Sequence, residues 1–572
     1  MTALRHDPDH NDVCNAADRH IVVVAPPGTG KTCLSVRLAA TIAQDLEPTE
    51  RVLLVTFSNQ ARVQLEREAA RQLDHDRRRR IEVTNYHGFF WRAVWANRRA
   101  LGLPLDTQIR SRRTRTEALK AADADGVARL TKHDGVLEAF AEQRFERFRD
   151  DRTPDQEGLE RMLSTLEHEQ QQGRLVFDDL GALFWRLLES FPVLDKAYKT
   201  RYPVVIADEH QDASELQDSV VRRLGSRRLI ILADPMQLIY GFRGSRPERL
   251  ERHVEESQQV FELRTPHRWH QDEAAGRWLL AVRTRLVGNP DPTPAPPSLK
   301  VIRERYFNAM MTHVKIGAAK AFRDGMASVA VLAAWNSDIG KLRTYLCKQG
   351  LYPRQLGSGD DFEEACGDIE QLPLLGDIQS VAHHAIERIA KLVPTLPRTV
   401  AEQVKRRLGT SDVDLSGNCG KEARGLLEAL RPLYDQGSHR YVTSVVAALD
   451  TCAEASHHLP RLEAVRALRT TAELYGQSAT DLDSVLAGYA QGIIAASQAA
   501  PRFGRGLFVM TVHQAKGKEF DAVILVNAGD AQFPDDDAGR RLFYVAITRA
   551  SKRWTIIAPE QGGSPLLRHL NQ

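Results

Sequence analysis

The stretch that decides the fold is Ile21-Val22-Val23-Val24-Ala25-Pro26-Pro27-Gly28-Thr29-Gly30-Lys31-Thr32. Its first four residues are apolar and β-branched, which predicts a buried strand of a parallel sheet. The remaining eight residues match the phosphate-loop pattern G-x-x-x-x-G-K-[ST], with Ala25 at the first glycine position. Glycines let backbone N–H groups turn inward around phosphate oxygens, and a helix expected over about residues 32–43 points its positive end at the same anion. The stretch therefore predicts an α/β domain that binds a nucleoside triphosphate.

A second apolar run, Val204–Ala207, is expected to be a strand that ends in Asp208-Glu209-His210-Gln211-Asp212. Lys31 is expected to reach the β- and γ-phosphates, with Thr32 and Asp208 as ligands of Mg²⁺. Glu209 is expected to polarise the attacking water. An acidic strand end alone is equally well explained by a solvated loop, so this interpretation depends on its occurrence together with Lys31.

Length and composition describe an ordinary globular chain with more than one domain. The 572 residues are too many for one hydrophobic core, and 42% are hydrophobic and 27% charged. The apolar runs are strand-sized and the N-terminus is polar, which predicts no transmembrane helix and no signal peptide. Six scattered cysteines without a C-x-x-C pair argue against a zinc site and favour a reducing, cytoplasmic setting. The arginine-rich runs at 77–80 and 110–115 are explained equally by contact with a phosphate backbone or by a solvated helix face.

Further motifs follow in a fixed order, at residues 56–59, 86–89, 234–244, 510–520 and 541–550. This set resembles the superfamily 1 DNA helicases of the UvrD/Rep/PcrA type, whereas residues 95–170 and 358–500 carry little resemblance. The resemblance implies an ATP- and Mg²⁺-dependent enzyme that moves 3′→5′ on single-stranded DNA and unwinds tailed duplex DNA.

The resemblance also predicts the fold class, which is α/β with two RecA-like parallel-sheet motor domains, each with a mainly helical insertion. The first domain is expected over residues 1–88 and 198–264, around an insertion at 89–197. The second is expected over residues 265–357 and 501–572, around an insertion at 358–500. Alternating apolar strands and amphipathic helices in the two predicted domains agree with this division.

Five further residues are assigned to ATP by the resemblance. Gln211 is expected to link phosphate and interdomain contacts, Gln237 to sense the γ-phosphate and couple it to DNA, and Glu519 to contact the ribose. Arg268 and Arg549 correspond to arginine fingers, which would neutralise charge on the transferred phosphoryl group when the two domains close. The chain departs from the family pattern at residues 9–13, where no glutamine is placed to read adenine.

The positions that the resemblance assigns to DNA are Phe57, His87, Tyr240, Phe242, Thr511 and His513. Aromatic faces stack on bases without reading their sequence. Core packing is an alternative explanation for Phe57.

A second hypothesis of a different class stays open at this point. Small UvrD-like proteins of prokaryotic defence systems, such as the Gabija type, look similar, so the chain is alternatively a DNA-sensing ATPase that regulates a separate nuclease subunit. No nuclease-like cluster follows residue 554, and the sequence does not distinguish DNA repair from antiviral defence.

Overall fold

The computed structural model describes residues 8–110, 156–241, 246–351, 353–354, 372, 375, 377–393, 395–416, 419–455, 468–469 and 505–570. The chain forms two compact units. Unit 1 comprises Met1–Thr107, Leu119–Trp335 and Thr511–Gln572, and unit 2 comprises Gln108–Ala118 and Asn336–Met510. Both of the sheet regions that carry the sequence motifs belong to unit 1.

Thirteen strands are present among the described residues. In chain order they are β1 His20–Val24, β2 Val52–Thr56, β3 Ile81–Asn85, β4 Gln108–Ile109, β5 Arg174–Leu175, β6 Val204–Asp208, β7 Arg228–Ala233, β8 Gln259–Glu262, β9 Leu299–Glu304, β10 Ser328–Ala333, β11 Gly506–Thr511, β12 Phe520–Val526 and β13 Ala550–Pro559.

The first sheet has the strand order β3-β2-β6-β7-β1-β8, and its neighbouring strands are parallel. Its central strands are rich in Val, Ile and Leu and are buried on both faces, as expected for a parallel sheet covered by helices. Thr56 pairs with Asp208 at the carboxyl end of the sheet. The phosphate loop and the acid pair therefore leave the same edge of one sheet, which is where α/β sheets bind ligands.

A second parallel arrangement in unit 1 joins β10 to β12, β12 to β13 and β13 to β9. From their apolar residues, the sequence alone predicts strands over residues 328–333, 522–526 and 554–558. Strand β10 has the predicted bounds, whereas β12 and β13 are longer than predicted. The predicted α/β class with two parallel sheets is thus confirmed.

Helices connect and cover these sheets. In unit 1 they are Pro8–Asn15, Lys31–Ile42, Asn59–Gln72, His75–Arg79, Tyr86–Ala96, Gln156–Gln171, Phe177–Ser190, Pro192–Arg201, Glu215–Leu224, Pro247–Glu256, Glu273–Leu286, Phe307–Arg323, Val512–Ala515 and Asp537–Ile547. Short 3₁₀ turns occur at His210–Asp212, Pro235–Gln237 and His267–Trp269, each next to a sequence motif. The helix after the phosphate loop begins at Lys31 and ends at Ile42, close to the predicted bounds.

Unit 2 is mainly helical in its described part. Its helices are Asn336–Lys348, Ile378–Leu392, Arg398–Arg406, Lys421–Gln436 and Tyr441–Glu454. Ile386, Leu427 and Val445 are fully buried and come from three of these helices. The predicted boundaries of the two motor domains and their insertions remain a prediction.

Candidate nucleotide site and aromatic cluster

The phosphate loop has the backbone that an anion-binding turn needs. Gly28 has φ 79° and Gly30 has φ 82°, a region that residues with a Cβ rarely adopt. A Cβ on Gly28 would lie 2.5 Å from a ring carbon of Trp269, so the position also has no room for a side chain. Gly30 is the N-cap of the helix Lys31–Ile42 and forms no side-chain cap bond. The first amide groups of that helix are therefore available to a phosphate.

The remaining loop residues anchor this turn. The N–H of Ala25 donates to the carbonyl of Ala233 at 2.9 Å, which ties the loop to β7. The Thr29 hydroxyl donates to the carbonyl of Pro26 at 2.8 Å. Pro27 lies between these anchors, and Thr32 lies in the first turn of the following helix.

Lys31 and the acid pair, which the sequence assigns to one site, lie next to each other. The Lys31 ammonium donates to Glu209 Oε1 at 2.5 Å and lies 4.0 Å from Asp208 Oδ1. Burial lowers the pKa of Lys31, but Glu209 and Asp208 outweigh it, so the pKa is raised overall. Lys31 is therefore a firmly held cation at neutral pH.

The two acids differ in their electrostatic surroundings. Burial raises the pKa of Asp208 to about 7, although Lys31 offsets part of the effect. For Glu209 burial also raises the pKa, but Lys31 and Lys516 outweigh it and bring the pKa to about 2. Glu209 is thus the ionised partner of Lys31, whereas Asp208 lacks sufficient positive charge nearby.

Asp208 fits the role of a ligand for a divalent cation. Its Oδ1 atom is buried and has no hydrogen-bond donor among the described residues. Carboxylate and hydroxyl oxygens are the ligands that Mg²⁺ prefers, and Thr32 supplies a hydroxyl next to Lys31. Asp208 and Thr32 would hold Mg²⁺, and a bound ion would supply the positive charge that Asp208 lacks.

A continuous series of hydrogen bonds leads from Glu209 to an arginine of the last motif. Gln211 Nε2 donates to Glu209 Oε2 at 2.6 Å, and Gln211 Oε1 accepts from the N–H of Asp234 at 3.2 Å. Gln237 Nε2 donates to Asp234 Oδ2 at 3.0 Å. Arg549 Nη2 donates to Gln237 Oε1 at 3.2 Å. Residues more than 300 positions apart in sequence thus converge around the acid pair.

Arg549 is buried and its orientation is determined by its own helix end. Its Nε donates to the carbonyl of Val545 at 3.0 Å, and its Nη2 also donates to the Thr548 hydroxyl at 2.9 Å. Burial, together with the positive charge of Arg268, lowers the pKa of Arg549 to about 10. The guanidinium remains charged at neutral pH, and Glu519 and Glu209 offset its unfavourable burial only in part.

Arg268 and Glu519 lie near the same loop but bond to each other. Their side chains form an ion pair, and Arg268 Nη1 donates to the carbonyl of Thr548 at 3.0 Å. The backbone N–H of Arg268 donates to the carbonyl of Gly28 at 3.0 Å. The structure therefore places Arg268 against the phosphate loop with its guanidinium on Glu519 and Thr548.

Three of the residues predicted to bind DNA form an aromatic cluster. The rings of Phe57 and Tyr240 are stacked with centroids 5.9 Å apart, and Tyr240 and His513 lie 6.4 Å apart. The Tyr240 hydroxyl donates to the carbonyl of His513 at 3.1 Å. The Lys516 ammonium lies 4.7 Å from the centroid of the Tyr240 ring. We call Phe57, Tyr240 and His513 the aromatic cluster.

The other three predicted DNA residues have different surroundings. His87, at the start of the helix Tyr86–Ala96, makes an edge contact with Phe177 at 5.9 Å. Thr511 is buried, and its hydroxyl accepts from the N–H of Gln514 at 3.3 Å as the cap of a short helix. Phe242 lies outside the described residues.

Lys516 and His10 also contact the site, although the sequence assigned them no role. Lys516 is buried, with Nζ 2.5 Å from the carboxylate of Asp212, and it also donates to the carbonyl of Gln237. Its position inside the motif at residues 510–520 was a usable signal. His10 Nε2 lies 3.1 Å from the Thr29 carbonyl oxygen, but nothing in the local sequence predicted this contact.

Comparison with known proteins shows which families the chain resembles. Residues 7–258 match the model of the UvrD/REP helicase N-terminal domain, and residues 446–561 match that of the UvrD-like helicase C-terminal domain. DNA helicase II of Salmonella typhimurium is 22% identical over 95% of this chain and 82% of its own length. ATP-dependent DNA helicase UvrD2 of Mycobacterium bovis is 24% identical over 93% of this chain and 75% of its own length.

Another relative matches more locally. ATP-dependent DNA helicase PcrA of Leuconostoc citreum is 26% identical over 39% of this chain and 32% of its own length. The chain thus spans about a third of that relative.

None of the helices in the described ranges combines the length and apolar character needed to cross a bilayer. The five cysteines that the structure describes are free thiols.

Proposed function

This chain belongs to the UvrD/Rep family of helicases, and from that premise we propose that it is an ATP-dependent motor that moves 3′→5′ on single-stranded DNA and unwinds duplex DNA. The observation that supports this most is the hydrogen-bonded series from Glu209 through Gln211, Asp234 and Gln237 to Arg549. This series links the Arg549 guanidinium to the Glu209 carboxylate, and Glu209 in turn accepts from Lys31 of the phosphate loop.

In the proposed reaction the triphosphate takes over the Lys31 ammonium, which lies on Glu209 in this structure. The pKa of Glu209 then rises from about 2, because Lys31 lowers this pKa more than Lys516 does. A freed carboxylate with a higher pKa can accept a proton from the attacking water. Arg549 faces the charge that spreads over the transferred phosphoryl group, and Mg²⁺, when bound, supplies further charge neutralisation.

Lys516 connects this chemistry to the aromatic cluster. Its ammonium contacts Asp212 beside the acid pair, the carbonyl of Gln237 and the ring of Tyr240. A base stacked on the aromatic cluster would therefore lie close to Lys516, which also contacts Asp212 and Gln237. This arrangement supports a motor whose ATP hydrolysis is stimulated by single-stranded DNA.

The direct test is ATP hydrolysis with and without single-stranded DNA, using Lys31→Ala and Glu209→Gln. Wild-type protein should hydrolyse ATP faster with DNA, and both variants should lose turnover. Glu209→Gln should still bind a fluorescent ATP analogue, because the phosphate loop is intact. Wild-type protein that hydrolyses no ATP with DNA present would refute the proposal.

Direction of movement is tested by unwinding of duplexes with a 3′ or a 5′ single-stranded tail. The proposal expects ATP-dependent strand separation of the 3′-tailed duplex only. Separation of the 5′-tailed duplex alone would reverse the assigned direction and leave the ATPase intact.

The alternative, a DNA-sensing ATPase that regulates a separate nuclease subunit, uses the same ATP and DNA contacts. No contact among the described residues favours it over the helicase. Strand separation by the purified chain alone would support the helicase, whereas DNA-stimulated hydrolysis without separation would support the sensor. A reducing, cytoplasmic setting stays a prediction from the cysteine pattern.

A further inference from the structure

A buried hydrogen-bonded network lies directly behind the acid pair. His210 Nδ1 is 2.9 Å from the Tyr86 hydroxyl, and His210 Nε2 is 2.9 Å from Asp218 Oδ1. His253 Nε2 lies 2.5 Å from the same Asp218 oxygen, and His20 Nε2 lies 3.1 Å from His253 Nδ1. His210, Asp218 and His253 are at most 2% exposed. The mechanism proposed above uses none of these side chains.

One arrangement of protons satisfies the hydrogen bonds that join Tyr86, His210, Asp218 and His253. Burial raises the pKa of Tyr86, so its hydroxyl keeps the proton and donates to His210 Nδ1. The Nε2–H groups of His210 and His253 then both donate to Asp218 Oδ1, and His253 Nδ1 accepts from His20. Arg222 Nε donates to the second Asp218 oxygen at 2.9 Å.

The same three residues, His210, Asp218 and His253, could converge on a metal ion. Each ligand atom already has a hydrogen-bond partner, and the Arg222 guanidinium beside Asp218 opposes a further cation. Burial raises the pKa of Asp218, but bonds from His210 and His253 outweigh it and lower the pKa well below its usual range. The network is therefore explained as a self-contained set of hydrogen bonds around one carboxylate.

The network matters because of the residue that precedes His210. Glu209 has φ 55° and ψ 35°, the left-handed region that L-residues with a side chain rarely adopt. Such a conformation persists only where the surroundings hold both sides of the residue. On one side, Asp208 is a residue of the central strand β6. On the other side, His210 is bonded to the start of the helix Tyr86–Ala96 and to the helix Glu215–Leu224.

We propose that His210 is a positioning residue for the proposed general base: its two side-chain hydrogen bonds, to Tyr86 and Asp218, hold the backbone turn that directs Glu209 into the nucleotide site. The His210 side chain is buried, so it acts through Glu209 and not on the reacting groups themselves. This inference rests on the proposed ATPase function, because a positioned base requires a hydrolytic step.

The same network supplies a matched control. His253 donates to the same oxygen of Asp218 and is as deeply buried as His210, but it lies on the helix Pro247–Glu256. Its loss should therefore disturb packing and stability to a similar extent without being adjacent to the base. A difference in turnover between changes at 210 and 253 reports positioning rather than general loss of structure.

The experiment compares His210→Phe and His210→Gln with His253→Phe and His253→Gln in the full chain. Phe fills the space of the imidazole but forms no hydrogen bonds. The Gln amide offers an NH2 group as donor and a carbonyl oxygen as acceptor. For each variant we would measure kcat and KM for ATP with single-stranded DNA, affinity for a fluorescent ADP analogue, and the thermal midpoint.

We expect His210→Phe to lower kcat by about tenfold to a hundredfold, because small displacements of a catalytic group cost that much. KM and ADP affinity should stay within about twofold, because the phosphate loop is untouched. His210→Gln should recover part of the lost kcat. It also tests the positioning role if the Phe variant does not fold. Both His253 variants should keep kcat within about twofold of wild type, whatever their thermal midpoint.

Unchanged kcat in both His210 variants, or equal losses of kcat at positions 210 and 253, would overturn the positioning role. Neither result would affect the proposed function, because the wild-type protein would still hydrolyse ATP. Absence of hydrolysis by the wild-type protein would overturn both.

Discussion

Removal of the Lys516 charge should destabilise unit 1 in a way that depends on pH. In Lys516→Met the Asp212 carboxylate, 3% exposed, would lose the ammonium that lies 2.5 Å away. Removing one partner of a buried ion pair typically costs about 3–5 kcal/mol, because the remaining charge is uncompensated.

The pH dependence follows from the pKa of Asp212. Burial raises this pKa from 3.8 to about 6, even though Lys516 offsets part of the effect. Because the folded-state pKa is above the unfolded value, the protonated form stabilises the folded state below pH 3.8, and this stabilisation is lost as the pH rises through about 6. The rise in pKa from 3.8 to about 6 corresponds to about 3 kcal/mol even with Lys516 present. Without Lys516 the pKa of Asp212 should rise further.

We therefore expect Lys516→Met to lower the free energy of unfolding by about 3–5 kcal/mol at pH 8. At pH 5, where Asp212 is protonated, the loss should fall to about 1–2 kcal/mol, the value of the remaining hydrogen bonds. The double variant Asp212→Asn with Lys516→Met should recover most of the lost stability at pH 8, because neither position 212 nor position 516 then carries a charge.

Urea unfolding monitored by tryptophan fluorescence is a suitable assay. All seven tryptophans lie in unit 1, so the signal reports that unit alone. An equal loss of stability at pH 5 and pH 8, or failure of the double variant to recover stability at pH 8, would show that the Asp212–Lys516 pair does not account for the effect.

Three further predictions concern the nucleotide site and the aromatic cluster. Arg549→Ala should lower kcat for ATP by about 10³-fold or more with little change in KM, as measured by steady-state hydrolysis, because it removes charge needed only in the transition state. An unchanged kcat would contradict this role. Gly28→Ala should abolish binding of a fluorescent ATP analogue, because its Cβ would lie 2.5 Å from Trp269 at φ 79°; wild-type affinity would show that the loop rearranges at no cost. Tyr240→Ala should weaken binding of single-stranded oligonucleotides by about 1–3 kcal/mol in fluorescence anisotropy, whereas Tyr240→Phe should keep the stacking; equal losses would assign the effect to the hydroxyl.

Local features of the fold were predictable from the sequence. The phosphate loop, its helix and the acid strand end each occupy a few consecutive residues, and their glycines, apolar runs and charges carry the necessary information. Strand β10 has its predicted bounds, and the helix at Lys31 begins within a residue of its predicted start. The motifs alone indicate Lys31 and Glu209 as candidates, and the family resemblance adds Gln237 and Arg549.

Details of pairing were not predictable, because they depend on which side chains the strand order brings together. Arg268 and Glu519 had separate predicted contacts with the nucleotide, but in the structure they form an ion pair. Phe57 is half-buried and stacked on Tyr240, a contact that neither its assignment to DNA nor the core-packing alternative specified.

The sequence by itself therefore determined the chemical groups of the nucleotide site, since their types and local spacing are written in short motifs. Only the tertiary structure decided how Glu209 is held, because its left-handed backbone, the His210 network behind it and the Lys516 contact arise from elements far apart in the chain. Burial, which depends on the whole fold, then separated the pKa values of the two neighbouring acids at 208 and 209.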